Sequence, residues 1–387
     1  MIKILTVVLT VLFYGLTPAA SLSAEELADA DKSAIFKEAQ LRLSLELLKA
    51  DLSEEKNTVI SPFSIYTIAD LLANGAQNET LAKLREKITD PQGKLSLADI
   101  NSLLLQYEKS FSPAVEIHNS VWGNKFRFGY IKTVRSLKAD IFVLPESTGK
   151  INDWVEKKTH GYIKNIMEKK KTGPDELFLV NTVYFNDKWQ NKFDAADTKE
   201  EEFHSLRLPK EPDLVKMMYQ EQDDIPYYED DKLQAIRLFY KKGDHIDIIL
   251  PNKYGNFKKT VSELTARDLQ FDYQYKKVRI WLPRFKVSYN LELNDYFKNW
   301  RIPLFADDKD RDLTVMCGEC FVEKIIHKAE IVLDEEGTVA AAATVVDGWY
   351  TAMAEKEEPK VFKADHPFIY IINDGLFAGA YVNGELY

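Results

Sequence analysis

Four runs after Pro174 in this 387-residue chain are long, β-branched and aromatic: ELFLVNTVYF (176–185), HIDIILP (245–251), KKVRIWLPRFKVSY (276–289) and CFVEKIIHKAEIVL (320–333). Such side chains fit the pleated, half-buried surface of a sheet, so each run reads as a strand. Near the end, FIYIINDGLFAGAYV sets Asn373-Asp374-Gly375 between two shorter strands, a strong hairpin signal. The first half has a different character. Leucines in SAIFKEAQLRLSLELLKADL (33–52) alternate like a strand, but the length of the segment and its Glu, Lys, Ala and Leu content decide for a helix. SPFSIYTIADLLANGAQ reads as a second helix with Ser61 and Ser64 at its entry, and further helical patterns cover 79–88, 97–109, 149–168 and 257–270. A mainly helical first part and a mainly sheet second part is the α+β pattern. With no low-complexity linker and no internal repeat, residues 24–387 read as one domain.

The N-terminus, MIKILTVVLTVLFYGLTPAASLSAEEL, has a short basic start at Lys3, an apolar core from Ile4 to Leu16, and small residues from Thr17 to Ala24. That is the form of a secretory signal over residues 1–23, cut between about 19 and 24, and too short to span a bilayer. A secreted, extracellular protein with no membrane association is expected. The two cysteines, Cys317 and Cys320, form a lone C-x-x-C, which fits a local disulfide or a pair of surface thiols better than a zinc or redox site. Asn78-Glu79-Thr80 is an N-glycosylation sequon. The net charge of −10 argues against a nucleic-acid-binding face. Lysines gather in VEKKTHGYIKNIMEKKKTG (155–173); their spacing suits a solvated helix face, with weak binding of sulfated polysaccharide as the functional alternative.

No catalytic constellation emerges. The six histidines show no metal-ligand spacing, and there is no G-x-S-x-G elbow or phosphate-cradling glycine loop. His327 lies within a strand pattern and reads as a buried, hydrogen-bonded histidine. Neither an enzyme nor a resident metal or cofactor is expected.

The segment that resists a static reading is IIHKAEIVLDEEGTVAAAATVV (325–346). Its alanines favour helix taken alone, but a β-branched run precedes them and a helix-poor Asp-Gly follows. As a strand of period two, one face carries Thr338, Ala340, Ala342, Thr344, Val346, Gly348 and Tyr350, none charged. The other carries Val339, Ala341, Ala343, Val345, Asp347, Trp349 and Thr351. Such a segment can slide into a sheet without burying a charge, and Gly337 supplies backbone freedom at its root.

This segment resembles the hinge of the serpin family. VISPFSIYTIADLLANGA, INDWVEKKTHGYIKNI, LVNTVYFNDKW, LPRFKV and FKADHPFIYII resemble other signatures of that family, so the likeness runs over nearly the whole chain after the signal. It implies the serpin fold: a large central mixed β-sheet with further sheets, eight or nine helices, and an exposed reactive loop at about 335–361. It also implies a protease inhibitor, a secreted invertebrate member by this reading, acting as a monomer. A protease that cuts the loop becomes acyl-linked to it and is trapped as the loop inserts into the sheet. By the same resemblance Glu335, Glu336, Gly337, Thr338, Val339, Ala340, Ala341, Ala342, Ala343 and Thr344 form the hinge. Ser61, Ser64, Asn181 and His327 match the shutter where the sheet parts, and Trp189 matches the breach where insertion starts. Arg284 and Glu335 match a hinge ion pair. Val339 stands where the family commonly has glutamate. The loop is about five residues longer than usual, so counting from the hinge puts the reactive bond at Thr351–Ala352 and counting back from FKADHPF puts it at Lys356–Glu357. The first suits an elastase-like serine protease, or a papain-like cysteine protease reading Tyr350; the second suits a trypsin-like one. A binding or storage protein on the same scaffold is the alternative function.

Overall fold

The structure, a computed structural model, describes residues 24–52, 56–161, 163–207, 212–338 and 358–384. In chain order its elements are α1 (Ala24–Asp51), β1 (Thr58–Ile60), α2 (Pro62–Ala73), α3 (Asn78–Leu84), α4 (Leu97–Ser110), β2 (Val115–Gly123), α5 (Phe128–Ser136), β3 (Asp140–Val143), α6 (Gly149–Lys158), β4 (Glu176–Phe185), β5 (Asp187–Lys188) and β6 (Lys199–Phe203). There follow β7 (Asp213–Glu229), β8 (Leu233–Phe239), β9 (His245–Pro251), α7 (Phe257–Glu263), β10 (Gln274–Pro283), β11 (Phe285–Glu292), α8 (Asn294–Asn299), β12 (Phe321–Leu333), β13 (Gly337–Thr338), β14 (Lys360–Lys363), β15 (Phe368–Ile372) and β16 (Phe377–Tyr381).

Two sheets organise the molecule. The first runs β3-β2-β4-β12-β13-β5, with β11 also paired to β12; the second runs β1-β16-β15-β9-β8-β7-β10-β14, with β6 on β7. In the first, β2 and β4 are antiparallel while β4 and β12 are parallel, so the sheet is mixed. The main core lies between the sheets and the helical layer of α1 and α2; every residue of α2 is buried. A smaller apolar cluster of Trp122, Ile151, Val155, Phe178, Val180 and Ile326 packs α6 onto the first sheet.

The structure corrects several expected bounds. The helix expected over 149–168 ends at Lys158, where Thr159, then His160 (φ 51) and Gly161 (φ 82), turn the chain. The helix expected over 257–270 ends at Glu263. The strand expected over 276–289 is two strands: β10 and β11 meet at Pro283–Arg284 and belong to different sheets. The first half also holds β1, β2 and β3, which helical periodicity did not reveal.

Cys317 and Cys320 are joined, with Cα atoms 6.0 Å apart. The loop around them is held independently. Gln77 N–H donates to Asp312 O (3.0 Å), Met316 N–H to Gly75 O (3.0 Å) and Arg127 N–H to Met316 O (2.8 Å). Closing so short a loop restricts the unfolded chain by only about 2 kcal/mol. Reduction is therefore expected to lower the denaturation midpoint modestly without unfolding the protein, as urea titration with and without dithiothreitol would read.

Candidate functional site

The first sheet is closed along the seam between β4 and β12, whose parallel register pairs Ile326 with Val180, His327 with Asn181 and Ala329 with Val183. A polar chain crosses this seam in the core. Ser61 N–H donates to His327 Nε2 (3.0 Å), which leaves the ring proton on Nδ1 to donate to Asn181 Oδ1 (2.8 Å). Asn181 Nδ2 donates in turn to Asn119 Oδ1 on β2 (2.8 Å). Ser61 caps α2 by accepting from Ser64 N–H (3.2 Å), and its hydroxyl hydrogen-bonds to that of Ser64 (2.8 Å). Ser61, Ser64, Asn181 and His327 are all fully buried. Desolvation alone pushes the His327 pKa down to about 3, so the ring is neutral. These four residues, from three distant parts of the chain, are thus one network joining a helix to two strands, and Asn119 extends it to a third, β2. Asn119 is its fifth member, and nothing in the sequence singled it out.

At the top of the seam the sheet is already divided. β12 ends in a tight turn in which Asp334 N–H donates to Gly337 O (2.9 Å) and Asp334 Oδ1 accepts from Glu336 N–H (2.9 Å) and Gly337 N–H (3.2 Å). Burial raises the Asp334 pKa, and those two backbone donors partly oppose it. β13 then enters between β12 and β5, antiparallel to both, with Thr338 opposite Leu333 on one side and Asp187 on the other. Only glycine fits at 337: φ is 150°, and a Cβ would lie 2.3 Å from Asp187 O.

Aromatic and charged groups fix this turn. Trp189 N–H donates to Glu336 O (2.9 Å) and its indole Nε1–H to Asp334 O (2.8 Å). The indole stacks on Tyr240 at 4.4 Å and 12°, and the Tyr240 hydroxyl meets Thr338 Oγ1 at 2.8 Å. Arg284 Nη1 lies 3.6 Å from Glu335 Oε2, while Glu335 Oε1 accepts from Thr198 (2.8 Å). With Arg284 about one-third exposed, that ion pair contributes about 0–1 kcal/mol. Lys192 pairs with Glu336 at 3.2 Å. Tyr240, Thr198 and Asp334 were not foreseen; a lone tyrosine at the end of a strand pattern carries no signal of its partner.

Of the residues expected to act, Glu335, Glu336, Gly337 and Thr338 are brought together with Trp189 and Arg284. Val339, Ala340, Ala341, Ala342, Ala343 and Thr344 lie outside the described residues, as do Thr351–Ala352, Lys356–Glu357 and the N-terminal segment 1–23. Asn78 is exposed, with Nδ2 donating to Asp312 Oδ2 (2.6 Å), whereas Thr80 of the same sequon is buried.

The chain matches the family model described as serpin (serine protease inhibitor) over residues 38–384. It is 32% identical over 371 residues to an uncharacterized serpin-like protein of Thermococcus kodakarensis, covering 88% of this chain and 84% of the relative. It is 30% identical over 341 residues to the leukocyte elastase inhibitor of Bos taurus, covering 82% and 89%. Among solved structures it superposes on tengpin, a thermophilic serpin in its native state, with a TM-score of 0.78 and 27% identity over 90% of this chain and 94% of the other. Both the family match and the fold extend over nearly all of the described residues, and the chain is a member of the serpin family.

Proposed function

We propose that this serpin is a secreted suicide inhibitor of proteases, and that β13 is the start of the strand its cleaved loop adds to the first sheet. The observation that carries this reading is the register. β13 pairs Thr338 with Leu333 and Asp187. Continued one residue at a time, the same register sets Ala342 between Ala329 and Val183, and Thr344 between His327 and Asn181. Each of these pairs is already in register across the closed seam. A strand entering here needs no slip of its neighbours, and Thr344 would take the place Asn181 now holds beside the His327 ring.

The face assignment follows. Leu333, Ile331, Ala329, His327 and Ile325 are buried and alternate with half-exposed Val332, Glu330 and Lys328. Thr338, Ala340, Ala342 and Thr344 would join the buried set, and Val339 would face outward, so the departure from glutamate there is harmless. Insertion exchanges one ladder for two and buries small apolar side chains, which drives it once the loop is cut. About fifteen residues at ~3.3 Å each span roughly 50 Å, enough to carry a tethered protease away from its encounter position.

The cut is assigned to Thr351–Ala352, since the length inserted from the hinge is the constrained length, with Lys356–Glu357 as the alternative. The target is an elastase- or chymotrypsin-type serine protease, or a papain-like cysteine protease; similarity to a leukocyte elastase inhibitor supports the first. Secretion rests on the N-terminal 1–23 pattern. A glycan at Asn78, weak binding of sulfated polysaccharide at 155–173, and action as a monomer belong to the same proposal. A place among invertebrate serpins rests on the sequence resemblance alone.

The test is a panel of serine and cysteine proteases read on denaturing gels and by mass spectrometry. The expected result is a complex that survives boiling in detergent, with the loop severed after Thr351. A new N-terminus at Glu357 would move the bond and the target class. Clean cleavage by every protease without a complex would favour a non-inhibitory binding protein.

A further inference from the structure

Residues 117–139 hold no aspartate or glutamate, in a chain whose net charge is −10. Lys125, Arg127, Lys132, Arg135 and Lys138 all fall in this span, and all are exposed. Lys125 pairs with Asp175 (3.5 Å) and Lys138 with Glu108 (3.0 Å), whereas Arg127, Lys132 and Arg135 have no ion pair among the described residues. The acid of the adjoining loop, Asp312, is taken up by Asn78 (2.6 Å) and Thr314 (2.6 Å).

α5 sets these groups on one face. Tyr130 and Val134 are buried, and Phe128, Lys132 and Arg135, at i, i+4 and i+7, share the opposite side of the helix. Phe128 is 70% exposed, with Lys132 Nζ 4.5 Å from its ring centre. Val143, 78% exposed, ends β3 beside Gly123, its ladder partner on β2 just before this span of cations. This is the end of the first sheet remote from the hinge turn. Trp122 on β2 is level with Phe178 on β4 and Lys324 on β12, and the hinge turn follows Leu333, about 30 Å further along β12.

We infer that the outer face of α5 docks on an anionic lipid surface, with Phe128 entering the interface and Arg127, Lys132 and Arg135 meeting the headgroups. The charge is complementary, and an aromatic ring flanked by cations suits the boundary between headgroup and acyl chain. A sulfated polysaccharide would engage the cations and leave the ring in water. The expectation of no membrane association rested on the lack of a spanning segment, and surface docking needs none. Contact at this pole leaves the hinge end toward solution, and it is independent of whether the protein inhibits a protease.

The test is flotation of residues 24–387, the domain defined above, with lipid vesicles. Phosphatidylcholine vesicles carrying about 30% phosphatidylserine, at about 0.1 M salt, should bind the protein, and pure phosphatidylcholine vesicles should not. Lys132→Gln combined with Arg135→Gln should weaken binding by about 25-fold, and Phe128→Ser by about tenfold. All three positions are exposed, so urea midpoints should match the wild type and separate lost binding from lost folding. Immobilised heparin tests the other occupant: retention there without flotation would assign the face to a polysaccharide and overturn the inference. So would absence of flotation, equal flotation with both lipids, or variants that float as the wild type does.

Discussion

Under the proposed inhibitory mechanism, Thr338→Arg is expected to convert inhibition into substrate turnover, with the yield of detergent-stable complex falling by about 100-fold or more while cleavage of the loop continues. Thr338 is fully buried between β12 and β5, with its hydroxyl against that of Tyr240. An arginine there must be desolvated with no carboxylate to meet it, at a cost of several kcal/mol, whereas about 2.7 kcal/mol already shifts a partition 100-fold. The substitution acts where entry begins, and deacylation competes with insertion, so the loop would be cut and released. Thermal resistance gives a second readout. A strand of about ten residues that exchanges one ladder for two adds on the order of 10 kcal/mol to the nicked wild type, a gain the variant should lose. Val339→Arg is the control. In the proposed inserted strand, the register of β13 continued by one residue would set its side chain on the outward face, opposite half-exposed Val332, and complex yield should fall by less than about tenfold. Equal loss in both variants would show that the faces are misassigned; full activity of Thr338→Arg would remove β13 as the point of entry.

How much of this was legible beforehand depended on the kind of signal. β4 and β9 have the bounds read from sequence, 176–185 and 245–251, because a strand buried on both faces is a continuous apolar run. The Asn373-Asp374 hairpin also appears, and both residues adopt positive φ, 46° and 54°, a conformation these residue types tolerate. β2 escaped because His118, Asn119 and Ser120 interrupt its apolar pattern. One of those residues, Asn119, is polar because it extends the chain that crosses the seam. The residues that met at the site were readable only through family resemblance. Ser61 and His327 are 266 positions apart, and no local periodicity can report that their polar atoms touch. The stack of Trp189 on Tyr240 is likewise a consequence of how the two sheets meet, and single-strand patterns carry no trace of it.

Acid should weaken the protein through the same seam, and by the second largest effect expected here. His327 is neutral in the native state, with its pKa lowered from 6.5 to about 3 by burial. The unfolded chain therefore binds a proton between those values that the native state does not. Stability is fully present above pH 6.5 and falls as pH is lowered toward 3, by about 5 kcal/mol in total. Geometry gives the same sign: an imidazolium has no lone pair for Ser61 N–H, so protonation breaks the bond that ties α2 to β12. The ring sits opposite Asn181, at the seam where the proposed strand would enter, so acid should also speed spontaneous loosening of the seam. Burial raises the pKa of both Asp334 and Asp70, and carboxyls of that kind act in the opposite direction, stabilising the native state as pH falls. The comparison must therefore isolate the histidine. His327→Gln keeps an acceptor and a donor but does not titrate. Urea midpoints measured between pH 7.5 and 4.5 should drop steeply for the wild type and far less for the variant, even though the variant starts from a lower stability. Parallel slopes for the two proteins would mean that the ring carries no acid sensitivity, and that the polar chain across the seam holds the sheet equally well in either charge state.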